Sequence, residues 1–231
     1  MRQLSKPGAP VRILRLPTMF NLRERLASQW ATAKKQLLLV LLGVGVLWAV
    51  FLLQLALPES WVNFRAWGIR PRTPGGVLSI IAAPFIHLEF RRLFALTMPL
   101  LVLGWLLLLT DRRLLLRVLV VSAVTSGVGA WAFGRDEIIS PGASGVLAGL
   151  LGFLVTRGWL ARRLLWSLVA LGVGLFYFGE LLLLPFSSGV SWASHLWGFA
   201  GGIGLAWWMY GRSARKNKPA SAVKPSDKRR Q

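Results

Sequence analysis

Long apolar runs separated by short polar gaps organise this chain. A helix rising 1.5 Å per residue needs roughly 20 apolar residues to cross about 30 Å of hydrocarbon. The first such run is Leu37–Leu57, and others follow at about Phe90–Leu109 and Leu114–Phe133. The fourth, Ala143–Val155, is shorter; Leu164–Leu184 and Ser191–Tyr210 complete the series. Six runs predict an all-α polytopic membrane protein with six spans. Trp30, Trp61, Trp67, Trp159 and Trp192 fall near the predicted ends, where interfacial aromatics belong. Residues 1–36 read as a basic N-terminal segment, 37–210 as the membrane domain and 211–231 as a basic tail expected to be disordered. The polar, basic lead before the first run is too long for a cleavable signal peptide.

Two stretches break the simple pattern. Between the first two runs, Pro58–Phe85 mixes Pro58, Pro71, Pro74, Gly75, Gly76 and Pro84 with Trp61, Phe64, Trp67 and Ile69. That mixture is too apolar for a solvated loop and predicts an outer-face segment lying in the interface, amphipathic in part. The fourth run is the other. Its apolar residues cover about 20 Å as a helix, between Pro141-Gly142 and Arg157-Gly158. If its basic end reaches the cytoplasmic face, its first residues start below the outer surface. Non-helical backbone at that depth is tolerated only where protein or water satisfies it. The expectation is therefore a water-filled recess with Ser144 at its floor, at a helix N-terminus whose unpaired N–H groups and positive end face the recess.

Charge fixes the orientation and removes one class of function. The chain carries 28 Lys and Arg against 8 Asp and Glu, a formal charge of +20. On a soluble domain this would suggest nucleic acid. Here most basic residues sit before the first run, after the second, after the fourth and after the sixth. With six spans those four segments share one side, which places both termini in the cytoplasm. No nucleic-acid partner is expected; the tails meet anionic lipid heads instead. There is no cysteine and there are only two histidines, so neither a thiol nucleophile nor a metal or other cofactor is expected.

Ser144 and His195 are the candidate chemistry. A histidine inside a span is costly and is a functional candidate by default. Gly145, Gly149 and Gly152 recur on one face of the fourth run, and Gly198 and Gly202 follow His195 at three and seven residues in the sixth. Glycine faces let helices approach backbone to backbone. Contact between them would bring Ser144 toward an imidazole able to activate it without a metal. From spacing and depth alone, a packing serine and an interhelical hydrogen-bonding histidine remain an open alternative.

These residues also resemble a known family. Gly142-Ala143-Ser144-Gly145 resembles the GxSG motif of rhomboid intramembrane proteases. Ser194-His195-Leu196-Trp197-Gly198, with Gly202, resembles their AHxxGxxxG motif, with serine in place of the alanine. Gly68–Pro74 and Ala83–His87 are similar to the loop entering the second span of bacterial rhomboids. The resemblance implies a six-helix rhomboid-like bundle, with Ser144 as nucleophile and His195 as general base. It further implies that the Ser144 N–H and second-span side chains hold the oxyanion. His87, Arg92, Gly142 and Gly145 are the candidates for oxyanion or substrate positioning. Yet the family's second-span histidine and asparagine are Arg92 and Leu96 here, and leucine donates no hydrogen bond.

The expected function is thus an intramembrane serine endopeptidase acting on single-span membrane proteins, in a bacterial inner membrane. The alternative is a rhomboid-like pseudoprotease that binds transmembrane segments without cutting them. A transporter is disfavoured, because no inverted repeat is visible and acidic residues at mid-span are scarce.

Overall fold

The structure, a computed structural model, describes residues 19–109, 112–136, 139–161, 164–183 and 191–216. Seven α-helices account for nearly all of them: α1 (Met19–Ala56), α2 (Pro74–Ala82), α3 (Phe90–Leu108), α4 (Arg112–Phe133), α5 (Ser144–Leu160), α6 (Leu164–Leu183) and α7 (Trp192–Lys216). Single 3-10 turns lie at Phe64–Trp67 and Ala83–Phe85. The only β pairing among the described residues is an isolated antiparallel bridge between Ile69 and Ser140. The fold is an all-helical membrane bundle, as the apolar runs predict.

Six of the helices overlie the six runs. Three of them, α1, α3 and α4, have stretches long and apolar enough to cross a membrane, and α5 is a shorter apolar helix. Three boundaries differ from the sequence expectation. α1 begins at Met19, well before Leu37, because its amphiphilic first turns continue the helix past the apolar run. α7 continues through Arg212 to Lys216, so the expected disorder of the tail concerns residues 217–231, which lie outside the described residues. α5 runs to Leu160 and has 17 residues, about 25 Å rather than 20 Å. The added turn is held by packing. The Arg157 guanidinium lies 5.3 Å from the Tyr210 ring centroid, a cation–π contact. Gly158 backs onto Ser167 of α6, so closely that an added methyl would meet the Ser167 amide at 2.9 Å.

The segment between α1 and α3 is built of short helical turns. Thr73 caps α2, its hydroxyl accepting from the Gly76 N–H, with Pro74 in the first turn, where a missing N–H costs nothing. The Trp131 indole donates to the Thr73 carbonyl at 2.8 Å. Gly76 and Ser79 face inward, whereas Leu78 and Ile81 are 79% and 80% exposed. The helix has two unlike faces: the small and polar face meets protein and the large apolar face meets the surroundings. That is the arrangement of a helix whose outer solvent is lipid rather than water.

α5 is the axis of the bundle. Every residue from Gly145 to Leu154 is buried. α7 packs along one side of it, α4 bridges the two, and α6 and α3 close the rest. The core combines Leu93, Leu103 and Leu107 of α3, Val118 of α4, Leu147, Leu150 and Phe153 of α5, and Ala206 of α7.

Candidate active site

Glycines set the register between α5 and α7. A methyl added to Gly198 would collide with the Gly145 carbonyl, and one added to Gly202 with the Gly149 carbonyl. From the other side, a methyl on Gly145 would meet the Ser194 carbonyl at 2.9 Å, and one on Gly149 the Gly198 carbonyl at 3.0 Å. Gly152 abuts the Phe199 backbone. Two helices touch this closely only where neither carries a Cβ. The pairs ascend together, Gly145 with Gly198 and Gly149 with Gly202, so the helices run parallel. Gly145, Gly149, Gly152, Gly198 and Gly202 are all packing residues of this seam, Gly145 included.

That register brings the two candidate chemical groups to the same end of the bundle. Ser144 opens α5 and is half-buried; the next residue touches the Ser194 carbonyl, and His195 follows in α7, also half-buried. His195 precedes Gly198 by three residues and Gly202 by seven, which puts it on the α7 face turned to α5. The two residues therefore lie within one turn of each other in depth.

The approach to Ser144 is held by a histidine from another element. Gly142 has φ +109°, a conformation that favours glycine. Its N–H donates to the Ala83 carbonyl at 2.7 Å. The next N–H, of Ala143, donates to His87 Nε2 at 3.3 Å. Both amides are thus used to fix the turn, and the N–H groups that a helix N-terminus leaves without intrahelical partners are those of the first residues of α5. His87 is in turn clamped from α1. The Gln54 amide donates to the His87 carbonyl at 2.9 Å and accepts from its N–H at 3.3 Å. Sequence reasoning missed Gln54, although it is the one carboxamide in the Leu37–Leu57 run. A lone polar side chain in a span is itself a signal.

Acceptance at Nε2 places the proton of a neutral His87 on Nδ1. Nδ1 is buried without a hydrogen-bond partner among the described residues. Burial, opposed by the nearby Phe85 carbonyl and aided by the Arg92 charge, lowers this imidazole to about 4. A neutral ring is the form that holds the Ala143 amide.

Arg92 is half-buried in the first turn of α3, and its guanidinium lies within electrostatic reach of both His87 and His195. Leu96, one turn further on, is 3% exposed and part of the hydrophobic core. Thr97 beside it is occupied, accepting from the Trp48 indole at 3.0 Å and donating to the Leu93 carbonyl at 2.9 Å. Arg92 is therefore the α3 side-chain donor whose charge acts on both histidines.

A serine opening a buried helix and a histidine level with it on the neighbouring helix thus lie at one end of an all-helical membrane bundle, within reach of the Arg92 charge. Residues 74–212 match the family described as Rhomboid domain, and the chain belongs to that family, whose members are typically intramembrane serine proteases. Uncharacterized proteins of Mycobacterium bovis and Mycobacterium tuberculosis are each 35% identical over 170 residues, covering 67% of this chain and 69% of theirs. An uncharacterized protein of Mycobacterium leprae is 33% identical over 172 residues, covering 68% of this chain and 67% of its own.

Proposed function

We propose that this protein is an intramembrane serine endopeptidase that cleaves single-span membrane proteins with a Ser144–His195 dyad. The observation that carries the reading is the glycine seam, which holds the first turn of α5 level with His195. His195 takes the Ser144 proton as Oγ attacks the scissile carbonyl, and then returns it to the leaving amine. Water resolves the acyl-enzyme by the same route in reverse. The developing oxyanion is met by the N–H groups opening α5 and by the Arg92 guanidinium. An arginine donor is longer than histidine and permanently charged, and charge-assisted bonds are about twice as strong as neutral ones. His87 acts as a positioning residue through Ala143, not as a donor to substrate. No cofactor or metal takes part in the scheme. The substrate's backbone must be extended to be attacked, which favours spans that unwind easily. We place both termini in the cytoplasm, by the distribution of basic residues, with six spans in a bacterial inner membrane.

A fluorophosphonate probe tests the reading. The purified protein in detergent is expected to label, and the Ser144→Ala protein to remain blank. Absence of labelling in a folded wild-type protein would leave a rhomboid-like pseudoprotease that binds transmembrane segments. One observation favours that second reading: Leu96 fills with core packing a place where the resemblance implies a hydrogen-bond donor.

A further inference from the structure

On the side of α5 away from α7, a cavity of about 490 Å³ lies between α1 and α4. Gly43 of α1 and Val120 and Val124 of α4 form its walls, Gly104 of α3 and Val146 of α5 its floor, and Ile81 of α2 its outer end. Every side chain lining it is apolar. Val120, Val124 and Ile81 are also exposed, so the cavity is a groove open to its surroundings. At the other end its lining continues to Leu39 and Leu116.

Basic residues stand where that end stops. Lys35 precedes Leu39 by four residues on α1. On α4, Arg113 precedes Leu116 by three and Arg117 precedes Val120 by three. Residues three or four apart are neighbours on a helix surface, so each cation flanks a groove-lining residue of its own helix, and all three are exposed. The groove thus has an apolar shaft with a cationic mouth.

We propose that this groove binds one acyl chain of an anionic phospholipid, whose phosphate sits among Lys35, Arg113 and Arg117. The occupant is a lipid tail and not a transmembrane helix, for reasons of size. A helix is about 10–12 Å across with its side chains, and four turns of it fill about 2,000 Å³, several times the groove. A tail is a single file of methylenes and fits. The charge at the mouth selects the headgroup, since basic residues near an anionic lipid surface each favour binding.

Gly43 supplies the test. A side chain added there meets nothing within 4 Å, so it fills the groove without disturbing the bundle; the same is true of Gly45, which does not line the groove. The delipidated full-length protein in detergent is titrated with dioleoylphosphatidylglycerol or dioleoylphosphatidylcholine, and native mass spectrometry counts the retained adducts. The wild type is expected to retain one phosphatidylglycerol about tenfold more tightly than phosphatidylcholine. Gly43→Phe is expected to lose this adduct while Gly45→Phe keeps it. The combined Lys35→Gln, Arg113→Gln and Arg117→Gln protein is expected to bind both lipids alike. Equal retention of both lipids by the wild type overturns the proposal. So does an adduct that survives Gly43→Phe, an equal loss in the two phenylalanine variants, or a peptide chain found in the groove in place of lipid.

Discussion

At the scale of single residues, the site divides into groups that react and groups that hold. Arg92 belongs to the first in our reading. Removing one oxyanion donor costs about 100- to 1000-fold in kcat, so Arg92→Leu is expected to lower kcat by that range with KM nearly unchanged. Arg92→Lys keeps the charge without the planar fork and should fall between. Steady-state cleavage of a fluorogenic transmembrane substrate measures both. His87 belongs to the second group, and its titration has a definite sign. The unfolded imidazole titrates near 6.5 and the folded one at about 4. Above 6.5 both states are neutral and nothing is lost. As pH falls from 6.5 to 4 the unfolded state takes up a proton that the folded state refuses, and stability declines by about 3 kcal/mol. The thermal midpoint in detergent should drop between pH 7.5 and 4.5. His87→Gln, which keeps an acceptor for the Ala143 amide, should remove that share of the drop.

At the scale of elements, the α5–α7 seam governs stability. Overpacking in a core costs about 1–3 kcal/mol, and backbone carbonyls such as that of Gly145 cannot move aside as a side chain can. Gly198→Val is therefore expected at the upper end, lowering the thermal midpoint by about 6–12 °C, with activity lost in step. This seam was legible in the sequence, because glycines at helical spacing in two apolar runs have few other uses. The end of α5 was not. Its apolar run stops at Val155, but Arg157 on the Tyr210 ring extends the helix, and a cation–π partner fifty residues away leaves no local trace. The direction in which α2 faces was equally hidden. Alternation shows that a helix has two faces, but only packing decides which one meets protein. His87 was legible as a candidate and not as a latch, since its partners Gln54 and Ala143 come from distant elements.

At the scale of the whole molecule, the distribution of basic residues makes the strongest claim about orientation. A cysteine-free chain permits a direct check. Single cysteines placed at Ser28 and at Ser213 are expected to react with a membrane-impermeant maleimide only after the inner membrane is opened. A cysteine at Ser60 is expected to react in spheroplasts without opening. Labelling of one terminus alone from outside would refute the six-span arrangement, and labelling of both would reverse its orientation.

The burial of α5 has a consequence for the surrounding bilayer. A helix of about 25 Å that faced acyl chains would suffer hydrophobic mismatch and would tilt or thin the membrane around it. From Gly145 to Leu154 this one is buried, with only Val146 and Leu150 reaching the groove. Adjustment to membrane thickness falls on the outer helices, while the depth of Ser144 is set by its neighbours. The rate in vesicles of graded chain length should accordingly vary less than the tilt of α1 or α4.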